Sequence, residues 1–224
     1  MLFVVNGTTI AKAANKVVVN NDNSFTQVMF NGVAIWFNRA SYTVTSSVTL
    51  TAGVHFPHDT NVSYCMVGGG GSGACDSATA GGGYSGAVKS GVINKPKGST
   101  ISITIGAGGG VVAPYAAGKA GGSTVLDGIT AAGGHGGYKG SSSHAGNGQN
   151  RSTCGGTGKN GSHNTYGNTN GYGGQSSGFS NGGNSRAVYS AYAGGVGSGG
   201  GGANYTNSSY RSGAGGRGQV NLSW

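Results

Sequence analysis

Val62-Ser63-Tyr64-Cys65-Met66-Val67-Gly68-Gly69-Gly70-Gly71 is the stretch on which the fold turns. Its first six residues alternate in the manner of a strand, rich in β-branched and apolar side chains. The strand then meets four glycines in a row, where no side chain remains to pack. Of the 51 glycines in the chain, 48 follow Val67. They recur in clumps such as Gly81 to Gly83, Gly108 to Gly110 and Gly199 to Gly202, and at spacings of three, as in Gly118 and Gly121 or Gly155, Gly158 and Gly161. Between Gly140 and Ser212 the only aliphatic side chains larger than alanine are Val188 and Val196. Such a region either stays disordered or packs backbone against backbone. Disordered chains combine poor hydrophobicity with high charge, and only 8% of this chain is charged, which favours packing.

The three-residue spacing suits an extended helix with three residues per turn and no internal hydrogen bonds. Collagen needs an unbroken glycine period and abundant proline; three prolines and a broken period exclude it. The alternative is many short polyglycine-type helices side by side. Their missing Cβ atoms allow close approach, and their amides bond sideways to neighbours. Ordering glycine costs about 1–2 kcal/mol per residue, so only a dense, cooperative array offsets it.

Outside the glycine clumps the chain reads as short strands. In residues 1–40, Phe3 to Gly7, Lys16 to Asn21 and Gln27 to Trp36 are strand-like, with Asn6-Gly7 and Asn31-Gly32 suited to tight hairpin turns. Tyr42 to Thr45, Val48 to Leu50 and Val62 to Val67 follow. Three more pieces stand inside the glycine region: Thr100 to Ile105, Ser123 to Leu126, and the terminal Gln219 to Trp224, whose alternation predicts a strand returning to close the domain. The expected fold is mainly non-helical: a β-rich attachment region over 1–66, then a glycine-rich helix sandwich over 67–224.

More varied stretches interrupt the glycine clumps at 74–80, 111–117, 138–154, 159–170, 175–193 and 203–212. They hold most of the aromatic and charged side chains of the region. Loops on a rigid scaffold are where recognition concentrates, and Tyr, Ser, Gly and Asn serve adaptable recognition loops. Helices alternating up and down would place such loops at both ends of the array.

The net charge is +9, with 13 Lys and Arg against four aspartates, Asp22, Asp59, Asp76 and Asp127, and no glutamate. The bases are scattered, which predicts a mild attraction to anionic surfaces and no dedicated nucleic-acid patch. Catalysis is not expected, because no carboxylates pair. His135, His144 and His163 with Cys154 match no zinc spacing. Gly156 to Gly161 matches G-x-G-x-x-G with neither a strand before it nor a helix after it. No metal or cofactor is expected. Gly215-Gly216-Arg217-Gly218 is a single arginine–glycine cluster, too little for a disordered RNA-binding segment. Cys65, Cys75 and Cys154 lack C-x-x-C spacing, so no disulfide framework is expected. Cys65 reads as a small buried hydrophobe, and a Cys75–Cys154 pair is the minority alternative. The opening apolar run is too short for a signal peptide or a membrane span, so synthesis in a cytosol without general secretory export is expected.

Four motifs in order carry a family resemblance: Val48 to Val54 with Val62 to Gly71, Ile103 to Gly109, Thr130 to Gly134, and Gly213 to Val220. On these the chain resembles the glycine-rich tail-fibre proteins of bacteriophages, over roughly residues 41–224. Its alternation of glycine motifs and variable loops is similar to the detachable tip adhesins of T-even-type phages. The resemblance implies a sandwich of polyglycine II helices at the tip of a virion's tail fibre. An N-terminal segment would dock on the trimeric distal subunit of the long tail fibre, and loops would bind a host outer-membrane protein or lipopolysaccharide. The implied fibre-docking residues are Phe30, Val33, Ile35, Trp36 and Phe37. Because aromatic and arginine side chains dominate binding hot spots, the implied receptor-binding residues are Tyr138, Arg151, Tyr166, Tyr172, Phe179, Arg186, Tyr189, Tyr192, Tyr205, Tyr210 and Arg211. A fibre-assembly chaperone and a structural or ice-binding polyglycine protein are the alternative readings. The protein is not expected to be membrane-embedded.

Overall fold

The computed structural model describes residues 41–76, 79–139, 190–204 and 209–224, the single position Phe179, and the backbone of strands at 2–5, 8–13, 16–18, 27–30, 33–37 and 163–165. In chain order the strands are β1 Leu2–Val5, β2 Thr8–Ala13, β3 Lys16–Val18, β4 Gln27–Phe30, β5 Val33–Phe37, β6 Ser41–Val44, β7 Val48–Thr51, β8 Val62–Val67, β9 Cys75–Asp76, β10 Thr79–Gly81, β11 Val88–Ile93, β12 Thr100–Thr104, β13 Thr124–Leu126, β14 Ile129–Ala131, β15 His163–Thr165, β16 Ala203–Asn204 and β17 Gln219–Ser223. Among the described residues there is no α-helix.

The first five strands pair among themselves. β1, β2 and β3 form an antiparallel sheet, and β4 and β5 a hairpin. Val5 pairs with Thr8 and Phe30 with Val33, the hairpin pairings expected on either side of the two Asn-Gly dipeptides.

Two four-stranded sheets follow, in the orders β11-β8-β17-β6 and β14-β13-β12-β7. Their inner faces share one core. Val62, Tyr64, Met66, Val220 and Leu222 from the first sheet meet Leu50, Ile101, Ile103, Leu126 and Ala131 from the second, with Phe56 from the β7–β8 connection. The alternation read at the C-terminus is present: Val220 and Leu222 are buried, and Trp224 packs against the same cluster. The β13–β14 hairpin turns on Asp127 and Gly128, both with positive φ (48° and 83°), as a two-residue primed turn demands.

The sheets draw on both sides of residue 66. β6, β7 and β8 bond to β17, β12 and β11, so the boundary expected at 66/67 does not divide the packing, and residues 41–66 belong with the glycine-rich region. β11 and β14 escaped the sequence reading. Val88-Lys89-Ser90-Gly91-Val92-Ile93 carries a glycine and two polar residues in its middle, and Ile129-Thr130-Ala131 is too short to show a period.

Beyond the sandwich the described residues run as eight extended threads: thread 1 (68–75), thread 2 (81–87), thread 3 (106–112), thread 4 (116–122), thread 5 (132–138), thread 6 (191–194), thread 7 (198–203) and thread 8 (211–218). Thread 1 is central, and its hydrogen bonds step by three. The amides of Gly68, Gly71 and Ala74 donate to Ala87, Tyr84 and Gly81 of thread 2. Those of Gly69, Ser72 and Cys75 donate to Gly122, Lys119 and Ala116 of thread 4. Those of Gly70 and Gly73 donate to Gly216 and Gly213 of thread 8. Its carbonyls accept from the other three neighbours: Gly69 and Ser72 from Gly134 and Gly137 of thread 5, Gly70 from Gly109 of thread 3, and Gly71 and Ala74 from Gly200 and Ala203 of thread 7.

The six neighbours also bond to one another in a closed ring, in the order 2, 5, 4, 3, 8, 7. Gly81 donates to Tyr138, Gly121 to Gly134, Gly122 to Ala107, Gly215 to Gly109, Gly213 to Gly201, and Gly83 to Gly200. A thread with three residues per turn offers its amides in three directions, and this array fills them all around thread 1. Distances of 2.7–3.1 Å make these ordinary N–H···O bonds.

The array explains the sequence spacing. Every residue from 68 to 76 is buried, and a Cβ built on Gly70 would lie 2.0 Å from the carbonyl oxygen of Ser198. Outer threads show one face in three: Ala132, His135 and Tyr138 are exposed on thread 5, while Gly134 and Gly137 between them are buried. Buried side chains inside the array are small and serve the backbone. Ser72 Oγ accepts from the Lys119 amide at 2.8 Å, and Thr124 Oγ1 from the Gly106 amide at 3.1 Å where the sandwich meets the threads.

Candidate functional site

The threads have two dissimilar ends. At one end they run into the sandwich: thread 1 leaves β8, thread 2 enters β11, thread 3 leaves β12, thread 4 enters β13, thread 5 leaves β14 and thread 8 enters β17. Among the described residues only the tight turn at 195–198, where the Ser198 amide donates to Gly195 and Gly197 has φ 66°, joins two threads there. The connections 76–80, 113–115, 139–190 and 204–210 therefore all leave and return at the opposite end, the loop pole. The expectation of loops at both ends is corrected, because strands occupy the ends where half of them would have been.

The chain enters the sandwich from its N-terminal side at the other pole, through Ser41. Ser41 pairs with Ser223 and Val44 with Val220. Since β17 leaves thread 8 at Gly218, Ser41 lies at the end of the sandwich farthest from the loops. Lys95 and Asp127 form a partly exposed ion pair at this sandwich pole.

At the loop pole short backbone pairings tie the connections down. β16 runs parallel to β9, with Ala203 opposite Cys75, and β10 pairs with β15. Cys75, Val112 and Ala203 make a small buried cluster of their own, with Ala116 and Ala191 against it. Ser212 Oγ accepts from the Val112 amide at 3.0 Å. Lys139 bridges to Ala80 and its Nζ donates to the Tyr115 carbonyl at 2.8 Å. Tyr115 itself holds φ 63°, an uncommon conformation for an aromatic residue. Tyr84 and Tyr138 meet edge to face at 6.3 Å.

Of the six exposed large hydrophobic side chains among the described residues, four belong to this end: Val111, Tyr115, Tyr138 and Tyr192. The sequence-derived candidates Tyr138 and Tyr192 are thus about half exposed, at 47% and 50%. Arg211 is exposed, and its Nη1 donates to the Tyr210 carbonyl at 2.9 Å. Tyr210 is half-buried and its carbonyl also accepts from Cys75 Sγ at 3.8 Å. Phe179 is half-buried in a turn. Arg151, Tyr166, Tyr172, Arg186, Tyr189 and Tyr205 lie outside the described residues. Tyr115 and Lys139 were missed as site residues. The signal for Tyr115 was its place after Pro114 in the short 111–117 stretch, which its length made easy to pass over. The docking candidates Phe30, Val33, Ile35, Trp36 and Phe37 all fall on the β4–β5 hairpin.

The cysteines depart from their sequence reading. Cys75 is free and buried, so it does not pair with Cys154, and burial pushes its thiol up to about 11. Cys65 is only half-buried, on the face of β8 away from the core, and is disulfide-bonded to a partner outside the described residues. The single-letter pattern misled because alternation along β8 sends Tyr64 and Met66 inward and leaves Cys65 outside. Among the described residues no cluster of three His, Cys, Asp or Glu side chains could hold a metal ion, and no helix is long and apolar enough to cross a membrane.

A family model described as a glycine-rich domain matches residues 43–224, the extent of the sandwich and thread array together. No curated protein matches the chain.

Proposed function

The chain belongs to this glycine-rich domain family, and from that premise we propose that it is a phage tail-fibre tip adhesin. The thread array is read as a polyglycine II sandwich, as its threefold hydrogen bonding supports. One observation carries the reading: every described connection between threads other than the 195–198 turn lies at one pole, while the chain enters the sandwich from its N-terminal side at the other. A molecule that must attach by one end and recognise by the other needs this polarity. Recognition elements on loops need a scaffold that does not yield, and a ring of six threads bonded to a seventh supplies one without an aliphatic interior. The N-terminal region, with Phe30, Val33, Ile35, Trp36 and Phe37, docks on the trimeric distal subunit of the long tail fibre. The loop-pole residues, Tyr138, Tyr192, Tyr210 and Arg211 among them, contact an outer-membrane protein or lipopolysaccharide of the host. No catalytic step is assigned.

The test is adsorption. Labelled full-length protein is expected to bind host cells, to lose binding on mutants lacking the receptor, and to be found in purified virions. Absence from virions combined with no adsorption to any host strain would sink the proposal.

A further inference from the structure

We propose that the loop pole carries a binding surface for an acidic saccharide, one bearing carboxylate or phosphate groups. The inference rests on the receptor-binding reading of that pole and narrows its ligand chemistry. Around the rim of the array, contacts link a continuous arc. Tyr138 precedes Lys139, whose Nζ reaches the Tyr115 carbonyl at 2.8 Å. The 111–115 connection is tied through Val112 and Ser212 to Arg211. The Arg211 carbonyl accepts from the Ala191 amide at 2.9 Å, which brings Tyr192 alongside. The arc thus alternates exposed aromatic rings with the cations of Lys139 and Arg211.

Three observations fix the chemistry. First, the arc holds no carboxylate. The acid that the described residues place at this pole, Asp76 on β9, is only 9% exposed, and no Asp or Glu occurs anywhere after Asp127. Asp59 and Asp127 stand at the opposite pole, on the β7–β8 and β13–β14 connections. Second, a neutral sugar presents hydroxyl donors that carboxylates hold best, as pure acceptors; this arc offers cations instead, which suit anionic groups. Third, among the described residues Val111 is the one large aliphatic side chain exposed in the arc. That is meagre for the apolar centre of a protein–protein interface, whereas tyrosine rings beside cations suit the faces and charges of an acidic sugar.

The experiment titrates the full chain with three polymers: polygalacturonate (carboxylate), phosphomannan (phosphate) and dextran (neutral). The expected result is binding to at least one acidic polymer, with dextran weaker by about tenfold or more. Raising salt from about 0.05 to about 0.5 M should weaken that binding sharply, since the ions are exposed. The K139Q/R211Q double variant should lose about tenfold or more, while K139R/R211K keeps it. Should K139Q/R211Q alter the fold, seen as lost amide protection over 68–75, the salt dependence and the K139R/R211K variant still decide. Dextran binding as tight as either acidic polymer, no binding to any of the three, or affinity indifferent to both charge and salt would overturn the inference. Cell adsorption separates it from the adhesin reading. Adsorption abolished by protease treatment of the cells and untouched by competing acidic polymer points to a protein receptor, overturning the saccharide and leaving the adhesin intact. Polymer binding in solution with no adsorption to any host strain sinks the adhesin reading alone.

Discussion

Ile103 and Met66 lie in the sandwich, buried among side chains of the facing sheet. Only a few residues further along the same strands, Gly106 and Gly68 enter the thread array, where a Cβ on either would meet a carbonyl oxygen at 2.1 Å. The same two chain segments thus pass from an interior of hydrocarbon to an interior of peptide groups. In the first, stability comes from apolar area removed from water and from close packing. In the second, it comes from amides that would otherwise be buried without partners. A hydrocarbon interior can shift rotamers to absorb a change of shape. A carbonyl held by its own hydrogen bond has nowhere to go.

The contrast breaks most visibly at Gly70. Gly70→Ala forces a methyl group against the Ser198 carbonyl and should cost more than about 4 kcal/mol, the range of severe core disruption. Urea unfolding of this variant should show a lost or non-cooperative transition. A variant with wild-type midpoint would mean the threads are looser than their bonding implies. Ile103→Ala, the matching insult to the sandwich, should cost about 2–5 kcal/mol, read as a lowered midpoint with cooperativity kept. At the seam between the two interiors, Thr124→Val leaves the Gly106 amide without its acceptor. The expected loss is about 1–3 kcal/mol, with faster hydrogen exchange concentrated at Gly106 and its neighbours. The smallest effect sharpens the comparison by reversing sign. Gly110 on thread 3 is exposed, with nothing within 4 Å of a built Cβ and no positive φ. Gly110→Ala should therefore stabilise by about 0.4–1 kcal/mol through the unfolded chain, measured as a small upward shift in midpoint.

Much of this architecture was legible from residue order. The run Ala132-Gly133-Gly134-His135-Gly136-Gly137-Tyr138 writes the threefold thread directly: a side chain at each outward position and glycine at the two that face neighbours. The closing strand at Gln219–Ser223 declared itself by alternation, and the antiparallel pairings β1–β2 and β4–β5 by the Asn-Gly dipeptides between the strands. The β11 and β14 strands did not, because pairing partners far along the chain overrode weak local preference. The candidate site was legible in part. Tyr138, Tyr192 and Arg211 were named from residue type, but Lys139 and Tyr115 come together only because threads 4 and 5 are neighbours, a contact between positions 24 residues apart.

Taken alone, the amino-acid order determined the material of the interior. Along the threads, so much glycine and so little aliphatic surface permits only backbone packing, because order without buried amides paired is too costly. It also determined the spacing of three, since that is where a threefold thread turns each face outward. What tertiary structure decided was direction. Hydrogen bonds between distant threads set which carbonyl each amide meets, and the sandwich capped one end of the array. Every described connection but one tight turn was thereby sent to the other end, gathering tyrosines and cations that lie far apart in the chain.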